Sequence, residues 1–104
     1  IYPKGLSDLL VRVSSDYTKL PIYVTENGMA EVEGSDDPRR VRYYEEHLKA
    51  VLNARARGAD VRGYFAWSLL DNYEWAEGYN KRFGIVHVDY QTQQRTPMSS
   101  YHAF

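Results

Sequence analysis

The sequence contains no cysteine, which excludes both a disulfide framework and a thiolate metal site. The three histidines, His47, His87 and His102, do not have the spacing of metal ligands. No Gly-x-Gly-x-x-Gly or Gly-x-x-x-x-Gly-Lys segment occurs, so nothing supports a bound dinucleotide or nucleotide phosphate. We therefore expect the protein to use no metal and no cofactor.

The sequence also lacks an excess of either charge and a long apolar run. Thirteen basic residues stand against fourteen acidic ones, for a net charge of -1, which gives no electrostatic basis for binding nucleic acid or an anionic membrane. No apolar run approaches the roughly 18 residues of a membrane span, and no charged-then-apolar leader opens the chain. We therefore expect neither a nucleic-acid nor a membrane partner. Because the chain begins with Ile and not Met, the absence of a leader says little about location, and a cytoplasmic location is an expectation only.

A short run of strand-forming residues leads directly into a carboxylate. Residues 22–25 have high strand propensity without polar alternation, and Glu26, Asn27 and Gly28 follow them. This pattern is typical of a parallel strand that is buried on both faces. In parallel α/β proteins ligands bind at the carboxyl ends of the strands, where we expect Glu26 to lie. The alternative is a glutamate that begins a polar turn, since Asn-Gly is a common turn dipeptide.

Helical and strand patterns alternate over residues 3–67. The first helix is predicted from about Pro3 to Asp16, before the strand at residues 22–25, and the polar residues 27–37 are predicted to form a loop. Asp37 and Pro38 have the pattern of an N-cap followed by proline at the first helical position, and Gly58 is well placed to end that helix. A second strand is predicted over Val61–Trp67. This alternation indicates an α/β fold with a parallel sheet, either open and doubly wound or closed into a barrel.

The second helix should bury one apolar face. That face consists of Val41, Tyr44, Leu48, Val51 and Leu52. The charged residues should lie mostly in solvent: Arg39, Arg42, Glu45, Glu46, Lys49 and Arg57. Such a distribution is typical of a solvated helix face and does not indicate a binding patch.

The last quarter of the chain is predicted to contain a small hairpin. Residues 82–90 alternate roughly like a strand, residues 91–94 are typical of a turn, and Arg95–Pro97 follow. A last helix is predicted to begin near Ser99.

Aromatic residues and carboxylates are concentrated after the second predicted strand. Trp67, Glu74 and Trp75 lie in a segment that is too polar for a plain core helix. Such a mixture is typical of a carbohydrate-binding site, because pyranose rings stack on tryptophan while their hydroxyls form hydrogen bonds with carboxylates and amides. The alternatives are a core tryptophan at Trp67 and an ordinary surface loop at Glu74 and Trp75.

Several long motifs together resemble the closing portion of β-glucosidases of glycoside hydrolase family 1. They are Ile22-Tyr-Val-Thr-Glu-Asn-Gly28, Gly63-Tyr-Phe-Ala-Trp-Ser-Leu-Leu-Asp-Asn-Tyr-Glu-Trp75, Gly78-Tyr79, Lys81-Arg-Phe-Gly84, Val88-Asp-Tyr90 and Arg95-Thr-Pro97. The resemblance implies a (β/α)8 TIM barrel in which residues 22–26 are the seventh strand and residues 61–67 the eighth. It also implies a retaining hydrolase acting on β-D-glucosides or short β-linked oligosaccharides, often with β-galactosides and β-fucosides accepted, and a role in carbohydrate metabolism such as cellulose degradation.

The resemblance also implies roles for individual residues. Glu26 matches the family's catalytic nucleophile, and Asn27 beside it is expected to contact substrate. Glu74 matches the glutamate that holds the outer sugar hydroxyls, although spacing alone would nominate it as the acid. The residues expected to line the same sugar subsite are Trp67, Trp75 and Phe83. A cis peptide bond is expected between Trp67 and Ser68.

Two parts of the family pattern are missing. The acid/base residue belongs to an Asn-Glu-Pro motif that does not occur here, and a barrel needs about 250 residues. We therefore expect residues 1–104 to be the C-terminal portion of a single barrel domain, with the remaining N-terminal part as partner and with self-association through exposed strand edges. The alternative is a non-catalytic carbohydrate-binding or assembly fragment.

Two residues near the C-terminus depart from the family pattern. Met98 stands where a lysine is usual, and Ala103 stands where an aromatic residue is usual. Loss of that aromatic is expected to weaken docking of the last helix by a few kcal/mol. Both positions lie far in sequence from the sugar motifs, so stability should be affected more than chemistry.

Overall fold

A computed structural model of the chain describes residues 1–31 and 37–104. The elements in chain order are α1 (Pro3–Asp16), β1 (Ile22–Asn27), α2 (Pro38–Ala56), β2 (Val61–Ala66), a 3-10 turn (Trp75–Glu77), β3 (Val86–Val88), β4 (Arg95–Pro97) and α3 (Ser99–Ala103). The predicted alternation of helix and strand, the hairpin and the last helix are confirmed. Residues 32–36 of the predicted 27–37 loop lie outside the described residues.

The described residues group into two compact units. The first comprises Ile1–Asn27 and Glu45–Phe65, and the second comprises Gly28–Tyr44 and Ala66–Phe104. Each unit has its own buried residues and hydrogen bonds. That residues 1–104 form part of one barrel domain stays a prediction.

The first unit is built around an apolar cluster under a two-stranded sheet. The cluster consists of Leu10, Val51, Ala54, Ala59 and Val61, with Ile22, Val24 and Tyr64 packed against it. Strands β1 and β2 are hydrogen-bonded neighbours. The N–H of Ile22, the first residue of β1, donates to the carbonyl of Asp60 just before β2 over 2.8 Å. Both strands therefore begin at the same end, which makes the pair parallel and places both carboxyl ends at one edge.

The second unit combines the β3–β4 hairpin with a buried ion pair. The hairpin is antiparallel, and Val86 lies opposite Pro97. Nη1 of Arg40 lies 2.7 Å from Oδ2 of Asp37, and both side chains are 1% exposed. Asp37 also accepts hydrogen bonds from the N–H and the hydroxyl of Ser100 at the start of α3. The first turn of α2 is thereby tied to the last helix.

The buried side chains of helix α2 are not all the ones predicted. Its start at Pro38 is confirmed, and Gly58 has φ +98° just beyond its end, as a C-terminal cap requires. Leu52, predicted to be buried, is 60% exposed, so that prediction is wrong. The buried stripe is Arg40, Tyr44, His47, Ala50, Val51 and Ala54. These positions recur every three or four residues, and Leu52 lies outside that row.

Candidate functional site

The predicted nucleophile lies near the carboxyl end of β1, in the first unit. Strand β1 continues through Glu26 and ends at Asn27, and Glu26 is exposed. The side-chain oxygen of Asn27 accepts a 2.6 Å hydrogen bond from the hydroxyl of Tyr64 on β2. The expected position of Glu26 on a strand end is confirmed, whereas its chemical role stays a prediction. Tyr64 was not among the predicted site residues, although it belongs to the motif that contains Trp67.

Trp67 and Phe83 are brought close together in the second unit. The peptide bond between Trp67 and Ser68 is cis, as expected. The N–H of Ser68 donates to the carbonyl of Phe83 over 3.0 Å, and the N–H of Ile85 donates to the carbonyl of Ser68 over 2.9 Å. Both aromatic side chains are partly buried. The segment after β2 therefore runs beside the segment that carries Phe83, whereas the roles of Trp67 and Phe83 in binding sugar stay predictions.

The carbonyl of Trp67 has two close neighbours. The hydroxyl of Tyr44 donates to it over 3.2 Å, and the backbone of Gly28 lies against it. Burial raises the pKa of Tyr44 to about 12, although the charge of Arg40 acts in the opposite direction. The hydroxyl therefore stays protonated at neutral pH and can donate to this carbonyl.

Glu74 and Trp75 lie at a tight turn in the same unit. The N–H of Glu74 donates to the carbonyl of Gly78 over 2.7 Å, and the Glu74 side chain is partly buried. Trp75 is 81% exposed and has φ +45°. A bulky residue rarely adopts positive φ, and such outliers are found preferentially at functional sites. The turn holds the Trp75 ring in solvent, where it is accessible to a ligand.

A buried carboxylate that sequence analysis did not single out holds this region together. Asp71 accepts hydrogen bonds from the N–H groups of Gly84 (2.9 Å) and Val88 (3.2 Å) and from Nη1 of Arg82 (2.8 Å). The Arg82 guanidinium also lies over the ring of Tyr90, 4.5 Å from its centroid. An acidic residue directly after Leu69 and Leu70, with an arginine next to Phe83, is the signal that could have identified this pair.

The described residues do not form a group of three or more histidine, cysteine, aspartate or glutamate side chains that could hold a metal ion. Within residues 1–31 and 37–104, no helix has the length and apolar character needed to span a membrane.

Comparison with known proteins assigns this α/β chain first to the glycoside hydrolases and then to one family. The model described as glycosyl hydrolase family 1 matches residues 1–104, and the chain belongs to that family. The chain is 52% identical to 6-phospho-beta-galactosidase 1 of Streptococcus pneumoniae, over 91% of this chain and 22% of the relative. It is 50% identical to a bifunctional beta-D-glucosidase/beta-D-fucosidase of Bifidobacterium breve, over 97% and 24%.

Solved structures that are similar to this chain include two β-glucosidases. The psychrophilic beta-glucosidase BglU of Micrococcus antarcticus is 54% identical with a TM-score of 0.93, and the match covers 97% of this chain and 23% of that one. A beta-glucosidase of Thermotoga maritima in complex with deoxynojirimycin is 42% identical with a TM-score of 0.93, covering 96% and 24%. The chain spans about a quarter of the length of these TIM-barrel relatives.

Proposed function

We propose that this chain is part of a retaining β-glycosidase that hydrolyses terminal β-D-glucosyl residues, with Glu26 as its nucleophile. The observation that carries the proposal is the exposed carboxylate of Glu26 near the carboxyl end of β1, within a chain that matches the family model over its whole length. Strands β1 and β2 are then the seventh and eighth strands of the barrel. Active sites in such barrels lie at the carboxyl ends of the strands.

The proposed reaction has two steps. A carboxylate oxygen of Glu26 attacks the anomeric carbon, the bond to the leaving oxygen breaks, and a second carboxylic acid protonates that oxygen. Water then attacks the anomeric carbon of the glycosyl ester, gives its proton to the residue that first acted as acid, and releases the Glu26 carboxylate. The second carboxyl group has to lie about 5 Å from Glu26, and residues beyond this chain supply it.

The sugar ring is held by the aromatic residues and by Glu74. Trp67, Trp75 and Phe83 offer apolar ring faces, whereas the Glu74 carboxylate accepts hydrogen bonds from the outer sugar hydroxyls. Asn27 contacts the sugar beside the nucleophile. Both exposure of the Trp75 ring and proximity of Trp67 to Phe83 support this arrangement.

The proposed substrates are neutral glycosides. A relative is named a 6-phospho-beta-galactosidase, but a carboxylate at Glu74 would repel a phosphate on the outer end of the sugar. The proposed substrates are therefore β-glucosides, β-galactosides and β-fucosides without a phosphate group. A 6-phospho-β-galactoside serves as the contrasting substrate in any assay.

The rest of the barrel is the proposed partner. The chain spans about a quarter of its relatives, and its sequence lacks the family's acid/base motif. The second candidate is a non-catalytic sugar-binding or assembly fragment. The absence of the acid/base motif from this sequence supports that candidate for the chain by itself. A cytoplasmic location and self-association through strand edges belong to the same proposal.

The test uses a reassembled complex, defined as this chain together with the preceding part of the Micrococcus antarcticus β-glucosidase. The complex should release phenolate from an aryl β-D-glucoside. The Glu26→Gly variant should not, and azide should then restore turnover with an α-configured glucosyl azide as product, because azide takes the place of the missing nucleophile. Glu77→Gly, which changes a carboxylate in the Trp75 turn, is the matched control. Full activity of Glu26→Gly without azide would refute the assignment.

A further inference from the structure

Arg40 lies one helical turn before Tyr44 on the buried stripe of α2, and its guanidinium reaches three backbone carbonyls of the second unit. Arg40 is 1% exposed. Its Nε donates to Met29 over 3.2 Å, its Nη1 to Gly84 over 2.8 Å and its Nη2 to Arg82 over 2.8 Å. A guanidinium has five donors in a fixed plane, so one side chain can hold several carbonyls in a defined geometry.

Two of those carbonyls belong to the residues on either side of Phe83. Arg40 therefore fixes the backbone of Phe83 from both sides. It does so through the neighbouring carbonyls, so the guanidinium does not have to contact the Phe83 ring. The carbonyl of Phe83 in turn accepts the N–H of Ser68, the residue after Trp67. Arg40 is thus connected to the residue that follows Trp67 through its hydrogen bonds to the two residues beside Phe83 and through the hydrogen bond that Phe83 itself accepts.

Tyr44 reaches the same segment from one turn further along the helix. Its hydroxyl donates to the carbonyl of Trp67 over 3.2 Å. Its ring is 3% exposed and makes edge contacts with Tyr43 and Phe104, at centroid distances of 5.6 and 5.4 Å. Because both neighbouring rings restrict the tyrosine, the position of its hydroxyl is fixed by packing and not only by the hydrogen bond.

We propose that Arg40 and Tyr44 are positioning residues for the aromatic part of the sugar subsite, with Arg40 orienting Phe83 and Tyr44 orienting Trp67. The proposal rests on the proposed function, because it takes Phe83 and Trp67 as residues that contact the sugar. Both positioning residues are buried in the second unit and act on the backbone of the contacting residues. Arg40 and Tyr44 therefore affect how tightly the sugar ring is bound, and they do not take part in the reaction at its anomeric carbon.

The kinetic test compares two conservative variants in the reassembled complex. Tyr44→Phe removes one hydrogen bond and keeps the ring, so we expect KM for an aryl β-D-glucoside to rise about fivefold. Arg40→Lys keeps the charge and loses the planar set of donors, so we expect KM to rise about tenfold or more. In both variants kcat should stay within about twofold, because the aromatic contacts are made in the ground state and in the transition state alike.

Matched controls change the same chemistry at exposed positions of the second unit. Arg42→Lys on α2 and Tyr101→Phe on α3 should leave both KM and kcat unchanged, because both residues are exposed. If Arg40 and Tyr44 had only a structural role, their variants would contain fewer active molecules, which lowers kcat and leaves KM unchanged. That result would overturn the proposal.

A second measurement does not depend on catalysis. In the full chain, Arg40→Lys should accelerate hydrogen exchange of the Ser68 N–H at least about tenfold relative to Arg42→Lys, because the carbonyl that accepts this N–H would no longer be held from both sides. Unchanged exchange at Ser68 would overturn the positioning role even if KM rose. If the unaltered complex hydrolyses no β-glycoside, the proposed function fails, whereas the exchange measurement still decides whether Arg40 fixes this backbone.

Discussion

Gly28 lies with its backbone directly against the carbonyl of Trp67. A methyl group on Gly28 would lie 2.8 Å from the carbonyl carbon and closer still to the oxygen. The carbonyl oxygen of Trp67 also accepts a hydrogen bond from the hydroxyl of Tyr44. The segment that follows β1 and the segment that follows β2 therefore meet backbone to backbone in the second unit, at the residue expected to bind sugar.

Gly28→Ala should destabilise the chain, because the atoms that the new methyl group meets are backbone and cannot turn aside. We expect a loss of about 1–3 kcal/mol in the free energy of unfolding, as for other overpacked sites. Urea unfolding followed by tryptophan fluorescence, at one protein concentration, measures it. Gly58→Ala is the control: it has φ +98° and open space around it, so only backbone strain of about 1 kcal/mol is expected. An unchanged midpoint for Gly28→Ala would refute the close contact.

Asp37→Ala should be more damaging than removal of an exposed acid. It leaves the buried Arg40 guanidinium without its 2.7 Å partner and Ser100 without its acceptor, and breaking such a buried pair costs about 3–5 kcal/mol. Asp60→Ala removes the partner of Arg62 in an exposed pair and should change the urea midpoint little. Equal effects of the two substitutions would show that the buried pair has no special weight.

Tyr44 should make unfolding sensitive to alkaline pH. Its pKa is raised by burial from 10.0 to about 12, so its contribution to stability is complete below pH 10 and is lost as the pH rises towards 12. Absorbance of tyrosinate at increasing pH measures the ionisation directly. The difference between the native chain and Tyr44→Phe should be one tyrosine that ionises at the upper end of this range. A difference centred at pH 10 would contradict the burial of the hydroxyl.

The element order could be predicted because it depends on local signals. Pro38 after Asp37, and Gly58 beyond the end of α2, bound that helix in the sequence and in the structure alike. The buried stripe could be predicted only in part: Tyr44 and Val51 were expected on it and are buried, whereas apolarity favours Leu52 over Arg40. Arg40 is buried because carbonyls from residues 29, 82 and 84 surround it. Two of these residues lie more than 40 positions away in the sequence, and no local pattern indicates such contacts.

The candidate site was predictable where motifs are long and unpredictable where single contacts matter. The strand end at Glu26 follows from the residues, whereas the cis bond after Trp67 followed only from the family resemblance. The hydrogen bonds of Asp71 and of Tyr64 depend on tertiary packing. Spacing alone also suggested Glu74 as the acid, and only the resemblance moved it to sugar binding.

Glu74→Gln should therefore weaken sugar binding and leave the covalent step possible. In the reassembled complex we expect kcat/KM for an aryl β-D-glucoside to fall about 10- to 100-fold, the effect of losing a charge-assisted hydrogen bond. A glycosyl ester should still form on Glu26. Glu77→Gln, in the adjacent turn, should leave kcat/KM nearly unchanged. If azide restored activity to Glu74→Gly with an inverted product, the nucleophile would have to be reassigned to Glu74.

The chain by itself should not hydrolyse an unactivated β-glucoside, because no acid protonates the leaving oxygen. General acid catalysis is typically worth about 10²–10⁴-fold, and binding contacts from the missing strands add several kcal/mol to that loss. Exposed strand edges should also make the isolated chain associate, which sedimentation measures. Robust hydrolysis by the purified chain would refute the view that it is one part of the active site.

Addition of the preceding part of the barrel should restore turnover and make the nucleophile observable. A 2-deoxy-2-fluoro glucoside with a good leaving group should form the ester with Glu26 faster than water removes it, because the fluorine slows both steps and the leaving group speeds only the first. Mass spectrometry of the digested complex should find the label on the peptide that contains Thr25, Glu26 and Asn27. The Glu26→Gln complex is the control and should remain unlabelled. Label on a peptide that contains Glu74, or on one from the added polypeptide, would overturn the proposed mechanism.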